Sequence, residues 1–367
     1  MLFPYKYINH DIEKLQSYLD FLFLKVWCKA RVDFDSSKLD RYAELKTIYE
    51  TLHHDDGEWA TFFNGHIEDI YKEFLKTSKS ERKRLKKYYL INNNINSLCV
   101  SNNKSPLSYD DLDKHHPKLC KLLKSFYSKL YGAKSPFILA VFGNLLTLKA
   151  DHYKEFNIVN FDGHEGKCPF CGLNPIKGND HTKLEAYDHF LPKGTYPFNS
   201  INFTNLSPMC HDCNSSYKLE KEPLMNIDPL KKKSKVRRKA FYPYSKDKWQ
   251  LNFKVELSNS DIGTLKKEEI KIVVVANNRD EEIESWLEVY GIEERYRAKI
   301  LAKYDGRRWY GDIKDGIHNA RKILKNDALT QQDWVQLKLS ECDTDFLADC
   351  SFLKKPFIEE CRSKGIL

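Results

Sequence analysis

Long apolar runs are scarce in this chain. The longest, Pro136 to Leu148, covers about 13 residues, whereas a membrane span needs about 20, so a buried helix is expected there and no membrane partner. A secretory start is lacking too. Met1-Leu2-Phe3-Pro4 carries no basic segment, and Asp11 and Glu13 interrupt the first apolar stretch. The expected setting is the cytoplasm, where thiols stay reduced. Nor does one sign of charge dominate. Sixty basic residues against 52 acidic ones leave +8, so the placement of charge matters more than its sum.

The composition is otherwise that of a folded protein. Hydrophobic residues make up 41% and charged residues 31% of 367, which excludes wholesale disorder. At roughly 100–200 residues per domain, two or three domains are expected. Ten cysteines need an explanation in a reducing setting. Cys28, Cys99, Cys120, Cys342, Cys350 and Cys361 are scattered in helix-like patterns and read as small buried hydrophobes. The other four are paired, as Cys168-Pro-Phe-Cys171-Gly172 and Cys210-His-Asp-Cys213-Asn214. Two C-x-x-C pairs match a four-thiolate zinc site. A redox dithiol would use one pair within a βαβ unit, and no such pattern surrounds either. Gly172 follows the first pair, where a chain doubling back needs positive φ. His164, His181 and His211 are spare potential ligands; His211, inside the second knuckle, is left out of the set.

Three regions differ in character. Residues 1–150 read as helical, with helix-spaced apolar residues in Asp11–Lys29, Leu39–Leu52, Trp59–Leu75 and Pro117–Leu130. Residues 155–230 are rich in Gly, Pro, Asn, Cys and His, with so little apolar periodicity that a metal would have to compensate for a missing core. Residues 231–367 open with a basic run and continue as mixed strand and helix. Strands are expected in Trp249–Leu257 and Glu269–Ala276, helices over Asp280–Lys303 and Gly311–Leu324, and a capped start at Thr330 with Asp333. The fold class is therefore mainly α (α+β).

Between and beyond the cysteine pairs lie Tyr187-Asp188-His189-Phe190-Leu191-Pro192-Lys193, Asn205-Leu206-Ser207-Pro208 and Asn214 to Lys218. Asp188 offers a carboxylate and His189 an imidazole. On a strand the two would face opposite ways, so a strand end or twist is needed to bring them to one site. A carboxylate with an amide oxygen suits Mg²⁺, which prefers oxygen ligands and keeps room for water and phosphate. A neutral histidine beside it could deprotonate a water.

At these residues the sequence resembles the HNH endonucleases, whose fold is the ββα-metal finger. The matching text is Cys168-x-x-Cys171, Asp188-His189-x-x-Pro192-Lys193 and Asn205-Leu-x-Pro208-x-Cys210-x-x-Cys213-Asn214-x-x-x-Lys218, about 60 residues in all. The resemblance implies that His189 is the general base, that Asp188 and Asn214 bind a catalytic Mg²⁺ or Mn²⁺ ion, and that Asn205 holds the loop and orients His189. It implies that Cys168, Cys171, Cys210 and Cys213 hold structural Zn²⁺. The last letter of the motif is Asn214 rather than His. The implied architecture is a helical region (1–150) that could dock a regulator, a zinc-braced finger (155–230) and a mixed C-terminal region (231–367).

The implied reaction is phosphodiester hydrolysis in nucleic acid, DNA first. Lys193 and Lys218 are candidate phosphate contacts, as is the run Lys231, Lys232, Lys233, Lys235, Arg237 and Arg238, within which seven of nine residues up to Lys239 are basic. The stretch Lys79–Lys87, with Tyr88-Tyr89 as a stacking pair, is a weaker candidate. Prokaryotic defence, restriction or mobile-element biology is the implied setting. No Walker A pattern occurs, so an ATPase that controlled cutting would be a separate partner. Two other classes fit the same residues: a non-catalytic zinc module that binds nucleic acid or protein, and an RNA-directed nuclease.

Overall fold

A computed structural model of the chain describes residues 1–53, 58–130, 145–227, 235–325 and 328–367. The protein is mainly α, with a few short two-stranded sheets, in the α+β class expected from sequence. Two compact units separate. One comprises Pro4–Gly166 with Ile176–Lys246; the other comprises Met1–Phe3, Lys167–Pro175 and Asp247–Leu367.

The first unit is built on helices α1 (Lys14–Phe21), α2 (Ala43–His53), α3 (Glu58–Lys76), α4 (Lys79–Asn92), α5 (Ile95–Val100), α6 (Tyr109–His115), α7 (Pro117–Leu130) and α8 (Leu145–Phe161). The stretch expected as one helix over Asp11–Lys29 changes type along its length. α1 passes into a π-helical segment, Leu22–Val26, and a 3₁₀ turn, Trp27–Lys29. The change keeps Leu22, Phe23, Val26 and Trp27 all buried. Most of the apolar run Pro136–Leu148 lies outside the described residues.

Phe23 organises this core. Its ring stacks on Tyr89 of α4 at 4.2 Å and meets Phe198 edge-on at 4.9 Å. Phe198, Ile201, Phe203 and Leu206 belong to the same buried cluster as the helices. The Gly- and Asn-rich stretch therefore has a core after all, supplied by the helical region. This corrects the expectation that only a metal could hold it. Each fully buried aromatic or aliphatic side chain contributes about 1.5–3 kcal/mol.

Within this unit, strand β1 (Tyr187–His189) pairs antiparallel with β2 (Leu206–Pro208), placing Asp188 opposite Ser207. A short helix, Asp212–Lys218, follows and is closed by a π-type bond in which Leu219 N–H donates to Asn214 O at 3.1 Å. β3 (Met225–Ile227) then pairs antiparallel with β4 (Lys235–Arg237). α8 lies along β1. Its Tyr153 ring meets the Tyr187 ring edge-on at 6.2 Å, and its His152 Nδ1 hydrogen-bonds the Tyr187 hydroxyl.

In the second unit β5 (Asn252–Leu257) pairs antiparallel with β6 (Ile270–Val275), and alternate residues Val255, Leu257, Ile270 and Ile272 are buried, as a half-buried sheet requires. Helices α9 (Asp280–Tyr290), α10 (Ile292–Leu301), α11 (Gly306–Lys314), α12 (Gly316–Leu324), α13 (Gln331–Thr344) and α14 (Ser351–Ser363) complete it. The helix expected over Asp280–Lys303 is two, because Gly291 takes φ +59° and ends the first. Thr330 and Asp333 form the expected capping box. The segment Lys167–Pro175 is fixed within this unit. Trp286 Nε1 donates to Phe170 O at 2.7 Å, and the Tyr296 hydroxyl donates to Cys171 O at 2.9 Å. Gly172 has φ +69°, and a Cβ there would lie 2.3 Å from Leu2 Cδ1. Among the described residues no helix is long and apolar enough to cross a membrane.

Candidate active site

Cys168, Cys171, Cys210 and Cys213 are all buried, and their Sγ atoms lie within 4.8 Å of one another. Thiolates about 2.3 Å from a tetrahedral zinc ion stand roughly 3.8 Å apart. The cluster therefore fits zinc after a small contraction. Both knuckles close by backbone bonds: Cys171 and Gly172 N–H donate to Cys168 O, and Asn214 N–H donates to Cys210 O. His164 and His181 instead lie 3.4 and 3.5 Å from Asp180 and Glu165. Burial pushes the Cys28 and Cys361 thiols up to about 12, consistent with inert filler.

His189 is the last residue of β1. Its Nε2 lies 2.8 Å from the carbonyl oxygen of Ser200. A carbonyl only accepts, so Nε2 carries the hydrogen and Nδ1 keeps the lone pair. Burial, with the charges of Lys193, Lys218 and Lys149, pulls the imidazole down to about 3, so the ring is neutral at physiological pH.

Asp188 points to the opposite side of the strand and is buried. Its carboxylate is ion-paired with Lys218, whose Nζ lies 2.9 Å from Oδ2 and 3.2 Å from Oδ1. The same ammonium donates to His189 O at 2.9 Å. Burial pushes the Asp188 carboxyl up, and Lys218 opposes that shift. One lysine on the short helix thus ties together the side chain of Asp188 and the backbone of His189.

Asn205 is fully buried and clasps the loop after His189. Its Oδ1 accepts from Leu191 N–H at 2.8 Å, its Nδ2 donates to Leu191 O at 3.1 Å, and its own carbonyl accepts from Phe190 N–H. The imidazole's Nε2 bonds to Ser200 O, on the loop between Leu191 and Asn205. Asn214 is half-buried, one turn before Lys218 on the short helix.

The basic candidates divide sharply. Lys193 and Lys235 are exposed. Lys231, Lys232 and Lys233 lie outside the described residues. Lys218 is buried on Asp188 and is not a surface phosphate contact. Arg237 donates to the carbonyls of Leu98, Ser101, Lys104, Leu224 and Arg238, and buried Arg238 donates to Pro223 O. These guanidiniums satisfy backbone carbonyls, which corrects their assignment to nucleic acid. On α4, Arg82 donates to Phe74 O and Thr77 O, Arg84 pairs with Glu81, and Tyr89 is core. Tyr89 is therefore not available for stacking on bases.

Sequence reasoning missed Ser200, whose part is played by its backbone and leaves no side-chain signal. It also missed Lys149 and His152, which sit on α8, a helix with no marked apolar stripe.

Two curated proteins match short stretches of the chain. The Septu protein PtuB of Bacillus thuringiensis is 36% identical over 63 residues, 16% of this chain and 23% of that protein. Protein ea31 of Escherichia phage lambda is 36% identical over 78 residues, 21% of each chain. The chain thus spans less than a quarter of the length of either relative. No family model matches, and no solved structure matches.

Proposed function

We propose that this chain is a metal-dependent endonuclease of the HNH type, hydrolysing phosphodiester bonds in nucleic acid, DNA first. The observation that carries the reading is the tautomer of His189. A strand-end imidazole, neutral and donating Nε2–H to Ser200 O, presents Nδ1 as a proton acceptor. The residue before it on the same strand of a β–β–helix unit, Asp188, is a buried carboxylate.

In this mechanism His189 Nδ1 takes the proton of the attacking water. Asn205 and Ser200 keep the ring in place through the loop. Asp188 and Asn214 would hold the divalent ion, through a carboxylate and an amide oxygen. This donor set suits Mg²⁺ or Mn²⁺ better than a softer metal. A carboxylate offers about four lone-pair positions, so pairing with one ammonium leaves acceptor capacity for a cation. When bound, such an ion polarises the phosphate and stabilises the departing oxygen. The cations that pull His189 down are countered when an anionic phosphodiester lies against them.

Prokaryotic defence, restriction or mobile-element biology is the proposed setting, under control of a separate protein such as an ATPase. The short stretches shared with a bacterial Septu protein and a phage protein support that range. The test is incubation of purified protein with plasmid, linear and single-stranded DNA, and RNA, with Mg²⁺, Mn²⁺ or EDTA. Cleavage that needs a divalent ion supports the reading, and preference for RNA would redirect it to an RNA-directed nuclease. Binding without cleavage in every metal would leave a non-catalytic zinc module.

A further inference from the structure

A cleft of about 560 Å³ opens in the helical part of the first unit, where α3 ends and α4 and α7 begin. Two carboxylates in it are each held from two sides by different elements. Glu73 of α3 meets Lys76 Nζ at 2.8 Å and Lys118 Nζ of α7 at 3.0 Å. Glu81 of α4 meets Arg84 Nη2 at 2.8 Å and His116 Nε2, just before α7, at 2.7 Å.

The acids are the sheltered partners. The Glu73 side chain is 14% exposed, against 64% for Lys76 and 69% for Lys118. Arg84 is likewise more exposed than Glu81. The cations therefore stand towards water over the carboxylates that fix them. Two ammoniums on one carboxylate leave an excess positive charge, and each ammonium has three N–H donors, of which Glu73 takes one. α4 and α7, 14 residues each, both begin at the cleft and add the positive ends of their dipoles. Positive charge continues on both sides. Exposed Lys87 stands three residues after Arg84 on α4, and exposed Lys121 three residues after Lys118 on α7, hence on the same helical faces.

The lining is polar apart from Pro117 and the buried Leu119. A protein partner needs apolar side chains at the centre of its contact. A phosphodiester backbone needs spaced cationic donors, which is what the cleft presents. We propose that this cleft between α3, α4 and α7 binds the backbone of a nucleic acid, with Lys76, Arg84 and Lys118 as phosphate contacts inside it and Lys87 and Lys121 at its sides. The proposal goes beyond the nuclease reading: it gives the helical region a nucleic-acid surface of its own and requires no cutting.

The test is a salt titration of binding by the full chain to a fluorescent DNA duplex and to an RNA duplex of the same sequence, without added divalent ion. Each phosphate contact contributes about 0.9 to the slope of log affinity against log salt on B-form DNA. Lys76→Gln with Lys118→Gln should lower that slope by about 1.8, as should Lys87→Gln with Lys121→Gln. Both lysines of the second pair are exposed, so that variant reports on the cleft even where the first loosens Glu73. Glu73→Gln removes the anion from beneath two ammoniums and should tighten binding. Slopes unchanged in both double variants overturn the proposal. Wild-type protein with no affinity for either duplex overturns it too, and leaves the cleft to an acidic protein. Cleavage is measured separately. Protein that binds through the cleft and never cuts upholds this surface and removes the nuclease reading; protein that cuts, with slopes unmoved by either double variant, does the reverse.

Discussion

Lys218 and Asp188 form a buried ion pair, with Nζ 2.9 Å from Oδ2 and the two side chains 1% and 6% exposed. Taking two charges out of water is costly, and the pair repays that cost only while both partners are present. Lys218→Met should therefore destabilise the first unit by about 3–5 kcal/mol, because it strands a buried carboxylate and removes the donor to His189 O. Adding Asp188→Asn should recover part of the loss. Urea unfolding of the two variants checks this; equal stability of Lys218→Met and wild type would show that the pair is not buried as described.

The four-cysteine cluster predicts about one zinc ion per chain. Cys213→Ser should lose most of that zinc and destabilise the region by several kcal/mol, since binding a structural metal is also folding free energy. Metal analysis by mass spectrometry, paired with thermal melting, gives the answer. A zinc-free variant that melts with the wild type would remove the structural role.

Buried histidine makes the fold acid-sensitive. Burial pulls His152 down to about 3 in the folded protein, against an unfolded value of 6.5. Between those values the unfolded chain binds a proton that the native chain does not. Stability is then complete above about pH 6.5 and falls as the pH drops towards 3, by up to about 1.4 kcal/mol per unit for this one group. His152→Phe keeps an aromatic ring against Phe203 and removes the titration. Its urea midpoint should fall less between pH 7 and pH 5 than that of the wild type; identical falls would contradict the assignment.

Periodicity and cysteine spacing carry much of this architecture. Pro117–Leu130 is a helix with the expected bounds, and the alternation in Ile270–Val275 gives a half-buried strand. The thiol cluster follows from two C-x-x-C pairs. Interactions that depend on tertiary geometry were not legible. Arg237 and Arg238 look identical in sequence to nucleic-acid-binding arginines, and only the folded chain brings five carbonyls around Arg237. Lys218 has the spacing of a helix-face phosphate ligand, yet it turns inward because Asp188 is buried there. The core under the finger was invisible because Phe198 and Ile201 follow no local period and pack on helices more than 100 residues earlier in the chain, such as Phe23 on α1's continuation.

The central claim is that the neutral imidazole of His189 activates water at a zinc-braced site. The most direct measurement is single-turnover cleavage by His189→Ala beside wild type, with excess enzyme, Mg²⁺ or Mn²⁺, and zinc content and melting determined on the same samples. The account predicts a loss of about 10²–10⁴-fold in rate, the usual contribution of a general base, with zinc and fold intact. Cleavage by the folded, zinc-loaded variant at the wild-type rate would contradict it.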